Sequence, residues 1–141
     1  MRILVAGSND ETFYLVGSLL SMGNEVSLVC DNRLRAQVLS EAYDIEVIAG
    51  DPTSLDALDD VSLPSPDVFI ALLDHDSDNF VACRTAKKEY GIPKTVCTVR
   101  DPRNVTLFKR LGITHAISAA RSLAEDIDRA TTSEDDCETS D

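Results

Sequence analysis

Five short stretches of this chain carry residues whose type and spacing could do chemistry. The first is Gly7-Ser8-Asn9-Asp10-Glu11-Thr12, directly after the apolar run Ile3-Leu4-Val5-Ala6. A glycine there permits a tight turn from strand to helix, and the free amides of a helix start attract a phosphate. Asn9 and Thr12 stand where a full G-x-G-x-x-G loop has its second and third glycines. Asp10 and Glu11 bring two negative charges to the phosphate position, each opposing it by roughly 1–4 kcal/mol at surface-like dielectrics. The same residues are also good helix-start chemistry, because Ser8 or Asn9 can cap amides and acids complement the positive end of the dipole. The loop therefore reads either as a weakened or lost phosphate cradle or as a self-capped turn.

The other four stretches each follow an apolar run. Asp31 comes after Val26–Cys30, Gly50-Asp51 after Ile45–Ala49, Leu73-Asp74 at the end of Val68–Leu73, and Arg100 after Thr95–Val99. Asp31 reads two ways: a carboxylate for ribose hydroxyls, or, with Asn32, a cap for the helix starting at Arg33. Arg100 is the sole cation expected near these acids. It is either a phosphate partner or half of an ion pair with Asp74 or Asp101.

Other chemistries are excluded by spacing. Asp74-His75-Asp76-Ser77-Asp78 contains metal-ligand types, but one short turn offers no closed ligand set, and Asp and Ser are ordinary caps before a long helix. Tyr90 and Lys94 have Y-x-x-x-K spacing, which needs both side chains on one helix face. Gly91 and Pro93 lie between them and break that helix. No nucleophile–base–acid set is evident, so no catalytic residue is assigned.

The elements that must position these residues alternate strictly. Strand-like runs at Ile3–Ala6, Val26–Cys30, Ile45–Ala49, Val68–Leu73, Thr95–Val99 and His115–Ser118 are separated by amphipathic segments. Those segments predict helices over Asp10–Met22, Arg33–Ala42, Ser54–Asp60, Ser77–Tyr90, Asp101–Leu111 and Ala120–Ala130. Near-continuous apolar strands alternating with helices mean a parallel sheet covered on both faces. The predicted fold is α/β, a three-layer Rossmann-like, doubly wound, parallel six-stranded sheet with strand order 3-2-1-4-5-6. Residues 1–130 form this domain, and 131–141 (T-T-S-E-D-D-C-E-T-S-D) read as an acidic disordered tail or linker.

Bulk composition narrows the partners. Twenty-five acids face 13 basic residues, a net charge of −12. This argues against nucleic acid and disfavours an anionic membrane surface. The excess is that of a salt-adapted or an ordinary acidic protein. No apolar run approaches the roughly 20 residues of a membrane span, so no direct membrane insertion is expected, and without a signal pattern the expected location is cytoplasmic. Cys30, Cys83, Cys97 and Cys137 are widely spaced and suggest neither disulfides nor a zinc site.

Several segments in this order resemble the N-terminal domain of the RCK (TrkA-N) family, nucleotide-sensing regulators of potassium channels and transporters. They are the first strand with Gly7, Met22-Gly23-Asn24-Glu25-Val26, Val47-Ile48-Ala49-Gly50-Asp51-Pro52-Thr53, Asp67 through Asp76, Val99-Arg100-Asp101-Pro102, and Leu111 through Ser118. The resemblance covers roughly Met1 to Arg121. It implies a non-enzymatic module that binds NAD(H) or ATP/ADP, forms a homodimer or higher homo-oligomer, and serves a membrane cation transporter or channel subunit. The residues it points to are Gly7, Ser8, Asn9, Asp31, Asp51, Leu73, Asp74 and Arg100. Ungapped matching puts Cys30 at the family's ribose-binding acid, with Asp31 one place later. The alternatives from other classes are an NAD(P)-dependent reductase and the recognition domain of a larger phosphoesterase.

Overall fold

A computed structural model describes residues 1–134 of the chain. The strands are β1 (Arg2–Ala6), β2 (Glu25–Cys30), β3 (Glu46–Ala49), β4 (Val68–Ala71), β5 (Lys94–Val99) and β6 (His115–Ser118). All pairs are parallel, and the order is β3-β2-β1-β4-β5-β6. The helices are α1 (Asp10–Ser21), α2 (Arg33–Ala42), α3 (Asp76–Glu89), α4 (Asn104–Arg110) and α5 (Ala119–Thr132), with a 3-10 turn at Asp56–Asp60.

Side chains alternate across each strand, so the sheet builds two cores. Ile3, Val5, Val26, Leu28 and Val68 pack with Val16 of α1 and Leu39 of α2. On the other face Leu4, Ala6, Phe69, Ala71 and Cys97 pack with Ala82, Cys83 and Ala86 of α3 and Phe108 of α4. Cys30, Cys83 and Cys97 are free buried thiols. A hydrogen bond with Cys97, together with burial, pushes the Cys83 thiol far up. Cys137 lies outside the described residues.

The doubly wound prediction holds, and the boundaries differ where side chains intervene. β4 stops at Ala71 instead of Leu73: the Leu72 amide still donates to the Ala6 carbonyl of β1, but the Leu72 carbonyl accepts from the Asn9 side chain, and both backbone groups of Leu73 bond to the Asn79 side chain. The fourth helix starts at Asn104, since Asp101 closes a turn first: the Asn104 amide donates to its carbonyl and the Arg103 amide to its carboxylate. The Ser54–Asp60 helix is a 3-10 turn of five residues, entered through Leu55 in the left-handed conformation. α5 continues through Thr132, two residues into the stretch expected to be tail, and residues 135–141 lie outside the described part.

Candidate functional site

The site forms where the chain leaves β1 in one direction and β4 in the other, the switch point at which such sheets open a crevice. A cavity of about 320 Å³ lies over the carboxyl ends of β1 to β4. Six of the eight residues picked from sequence line it: Ser8, Asn9, Asp31, Asp51, Leu73 and Asp74. Gly7 sits beneath it in the β1–α1 turn. Arg100 lines a second hollow of about 170 Å³ over β4 and β5, which shares Asn9, Leu72, Leu73 and Asp74 with the first.

The β1–α1 turn is closed by its own side chains. Asn9 is the N-cap of α1, its Oδ1 accepting from the Thr12 amide at 2.9 Å and the Thr12 hydroxyl at 2.7 Å. Its Nδ2 donates to the Leu72 carbonyl at 2.9 Å. Thr12 is fully buried, and a Cβ on Gly7 would lie 2.5 Å from its Oγ1 and 3.0 Å from the Leu72 oxygen. Glycine is therefore required at position 7 by close approach. The two acids do not converge on the crevice as a pair. Asp10 turns outward to Arg35 at 3.2 Å, with its side chain 89% exposed, and Glu11 borders the second hollow. Geometry leaves the amides of Asp10 and Glu11, in the first turn of α1, without intrahelical acceptors.

At the end of β2 the two sequence readings of Asp31-Asn32 separate. Asn32 caps α2 by accepting from the Arg35 amide at 3.1 Å. Asp31 is exposed in the crevice lining and takes no part in that cap. Cys30 turns inward, its thiol donating to the Asn32 carbonyl, and burial pushes its pKa up. The carboxylate on offer is thus one residue beyond the strand. On the β3 side Asp51 accepts from the Thr53 hydroxyl at 2.6 Å and amide at 2.8 Å, which holds its carboxyl below the usual range.

Arg100 forms an ion pair with neither Asp74 nor Asp101. Asp101 pairs with Arg103 at 2.8 Å, and among the described residues no acid engages the Arg100 guanidinium. Its backbone is fixed instead by Asp76, whose carboxylate accepts from the Arg100 amide at 2.7 Å, the Asp101 amide at 3.1 Å and the Asn104 side chain at 2.8 Å. Burial pushes the Asp76 carboxyl up, but these three hydrogen bonds outweigh it and leave its pKa below the ordinary value.

Two contributors escaped the sequence reading. Asp76 appeared only as one acid among several in a capping loop. Asn79, 1% exposed, accepts from the Leu73 amide at 2.7 Å and donates to the carbonyls of Leu73 and Thr98 at 3.2 and 3.0 Å. It clamps the end of β4 to β5. The only signal in the sequence was an asparagine in the first turn of a helix that otherwise turns small apolar residues inward. Pro52, Thr53, His75 and Asp78 complete the lining of the main cavity. Among the described residues no group of three His, Cys, Asp or Glu forms a metal site, and no helix is long and apolar enough to cross a membrane.

Chemically, the main cavity offers carboxylates as acceptors for hydroxyl or amino groups, and its border with the second hollow offers helix amides and one guanidinium to an anion. That arrangement, on this sheet, is that of a nucleotide-binding type of α/β domain. The TrkA-N domain model matches residues 3–119, and the chain belongs to that family. It is 30% identical over 124 residues to a Trk system potassium uptake protein TrkA homolog of Methanothermobacter thermautotrophicus, covering 88% of this chain and 57% of that protein. The chain thus spans under two thirds of that relative's length. Among solved structures it resembles the GsuK channel bound to NAD, with TM-score 0.76 and 26% identity over 89% of this chain and 23% of the other. It also resembles GsuK bound to ADP, with TM-score 0.77 and 26% identity over 93% of this chain and 34% of that one.

Proposed function

We propose that this chain is a non-enzymatic, cytoplasmic sensor domain that binds an adenine nucleotide, NAD(H) or ADP/ATP, and passes its occupancy to a potassium transporter or channel. The observation that carries this reading is the crevice: Asp31 and Asp51 on one side, the α1 amides in the middle, and an unpaired Arg100 on the other. The adenosine ribose lies against Asp31, with Asp51 beside the adenine. The phosphates lie between the Asp10 and Glu11 amides and Arg100. Relatives named as Trk potassium uptake proteins and neighbours holding NAD or ADP support both the ligand class and the partner.

The loop tempers affinity. Asn9 occupies the Thr12 amide, so the phosphate meets two first-turn amides and binds more weakly than in a full glycine loop. Signalling is a population shift. Ligand bound between β1, β2 and β4 favours one arrangement of a homodimer or higher oligomer over another. The exposed apolar side of α5, with Leu123 and Ile127, is a ready self-association face.

Thermal-shift titration with NAD, NADH, NADP, ATP, ADP and AMP tests the reading, in low and in molar salt. A native-state ligand raises the midpoint by mass action. We expect a shift for one or more adenine nucleotides that Arg100→Ala reduces. No shift at millimolar concentration in a folded oligomer overturns the sensing role and leaves an assembly domain.

A further inference from the structure

The two hollows over the strand ends carry an excess of one sign of charge. Asp31, Asp51, Asp74 and Asp78 line the main cavity, and Glu11, Asp74 and Asp76 line the second. None of these six carboxylates forms an ion pair: among the described residues the pairs are Arg2–Glu25, Arg35–Asp10, Arg103–Asp101 and Arg129–Asp126. The pKa values of Asp51 and Asp76 are depressed, so both stay ionised well below neutral pH. Arg100 is the one lysine or arginine in either lining, which sets six negative charges against one with His75 counted neutral. Arg33 and Arg121 stand in the first turns of α2 and α5, at the same end of the sheet, and six acids against three cations still leave −3. All four lysines are at the other end: Lys87 and Lys88 close α3, Lys94 opens β5 and Lys109 is in the last turn of α4.

A phosphate entering this site meets two kinds of field. The Asp10 and Glu11 amides and Arg100 act at contact, where salt has little room to intervene. The carboxylates act from farther off, roughly 5–10 Å, and none of them is buried: Glu11, Asp31, Asp51 and Asp74 are exposed, Asp76 and Asp78 half-buried. Their repulsion is therefore open to screening. The Debye length is about 10 Å at 0.1 M salt and about 3 Å at 1 M, so it falls from longer than these separations to shorter than them. Salt thus removes most of the repulsion and keeps most of the attraction. Sites that hold phosphates with clustered cations respond in the opposite sense, losing affinity as salt rises.

We propose that ionic strength regulates this site: binding of an anionic nucleotide strengthens as salt screens the crevice carboxylates, so that occupancy reports nucleotide and salt together. The inference rests on the nucleotide reading above and deepens it. For a module serving potassium uptake the consequence is direct, because the accumulated potassium salt itself raises occupancy, with no potassium-binding site required. The effect scales with ligand charge. Adenosine is uncharged, while AMP carries about two negative charges at neutral pH and ADP about three. ADP, the most strongly repelled of the three at low salt, gains the most.

Calorimetric titration of the full chain with ADP, AMP and adenosine tests it, in KCl from about 0.1 M to about 1 M at about pH 8. Circular dichroism sets the lower limit, the least salt in which the chain is fully folded. ADP affinity is expected to rise about ten-fold across the range, AMP affinity by less, and adenosine affinity by under about two-fold. NaCl gives the same gain as KCl. E11Q and D78N each raise ADP affinity at low salt about two-fold and shrink the gain to match. E41Q, at the far end of α2, does not alter the gain. ADP affinity that falls as salt rises, a gain as large for adenosine as for ADP, indifference to E11Q and D78N, or a gain in KCl that NaCl does not reproduce would each overturn regulation by screening and leave the nucleotide reading in place. Absence of binding by all three ligands at every salt concentration overturns both.

Discussion

The side-chain amide of Asn9 donates to the backbone carbonyl of Leu72 at 2.9 Å, and so joins the end of β4 to the turn that opens α1. Asn9 also caps α1, so one residue sets both the shape of the crevice floor and the supply of free amides there. Stability and ligand affinity are therefore set against each other at this position. Asn9→Gly should lose about 1–2 kcal/mol, chiefly the bond to Leu72, because glycine is itself a tolerable cap. It should bind nucleotide more tightly than the parent, since the Thr12 amide is released. Urea unfolding and calorimetric titration read the two effects separately. A variant that is less stable and also binds less well would count against the proposed phosphate position.

Gly7 is constrained by Thr12 as well as by the backbone. A methyl group at position 7 meets the Thr12 hydroxyl and the Leu72 carbonyl, so Gly7→Ala should cost about 1–3 kcal/mol. Adding Thr12→Ala should recover part of the loss, because it removes the closer of the two contacts. A double-mutant cycle on unfolding free energy measures that coupling, and strict additivity would show the contact to be unimportant.

Asn79 spans β4 and β5 with three hydrogen bonds while almost fully buried. Asn79→Leu removes the partner of one amide and two carbonyls at once and should cost about 3–5 kcal/mol. Protection of the Leu73 amide from hydrogen exchange should fall by more than that of core amides in β1. Uniform loss of protection would mean that Asn79 stabilises the whole fold without a special effect on the crevice.

Asp76 predicts a pH dependence of definite sign. Its folded pKa is depressed, so it contributes stability that is complete above the unfolded value, about 3.9, and vanishes as pH falls through the folded value. Asp76→Asn should be less stable than the parent at neutral pH, with the gap closing below about pH 4. Asp51 and Asp101 are depressed too, through Thr53 and Arg103, so an acid limb should remain in the variant. Urea midpoints across the acid range test this. A gap independent of pH would assign the effect to lost packing.

Arg100 should behave in the opposite way to Asn79. Its guanidinium is exposed and bonded to nothing among the described residues, so Arg100→Ala should leave the unfolding midpoint nearly unchanged. Nucleotide affinity should fall by about ten- to a hundred-fold, the worth of one charge-assisted hydrogen bond. Equal affinity in the two proteins would remove Arg100 from the site.

The strand order was readable from the chain alone. Ile3–Ala6, Val26–Cys30 and Val68–Ala71 are apolar on both faces, and apolar strands alternating with amphipathic helices have few ways to bury both sides of a sheet. Most of the crevice was readable for the same reason, since Asp31, Asp51 and Asp74 each follow a strand and parallel strands end on one side. What a side chain does once it arrives there was decided by neighbours remote in sequence. Asp10 faces Arg35 because α2 starts beside α1, Asn32 and not Asp31 caps α2, and Arg100 is left unpaired because Asp101 turns to Arg103 while Asp76 takes its amide. Asn79 clamps β4 to β5 only because two strand ends meet above it. Periodicity records which face a residue buries. Hydrogen-bond partners depend on where separate segments meet, and that is a property of the packed molecule alone.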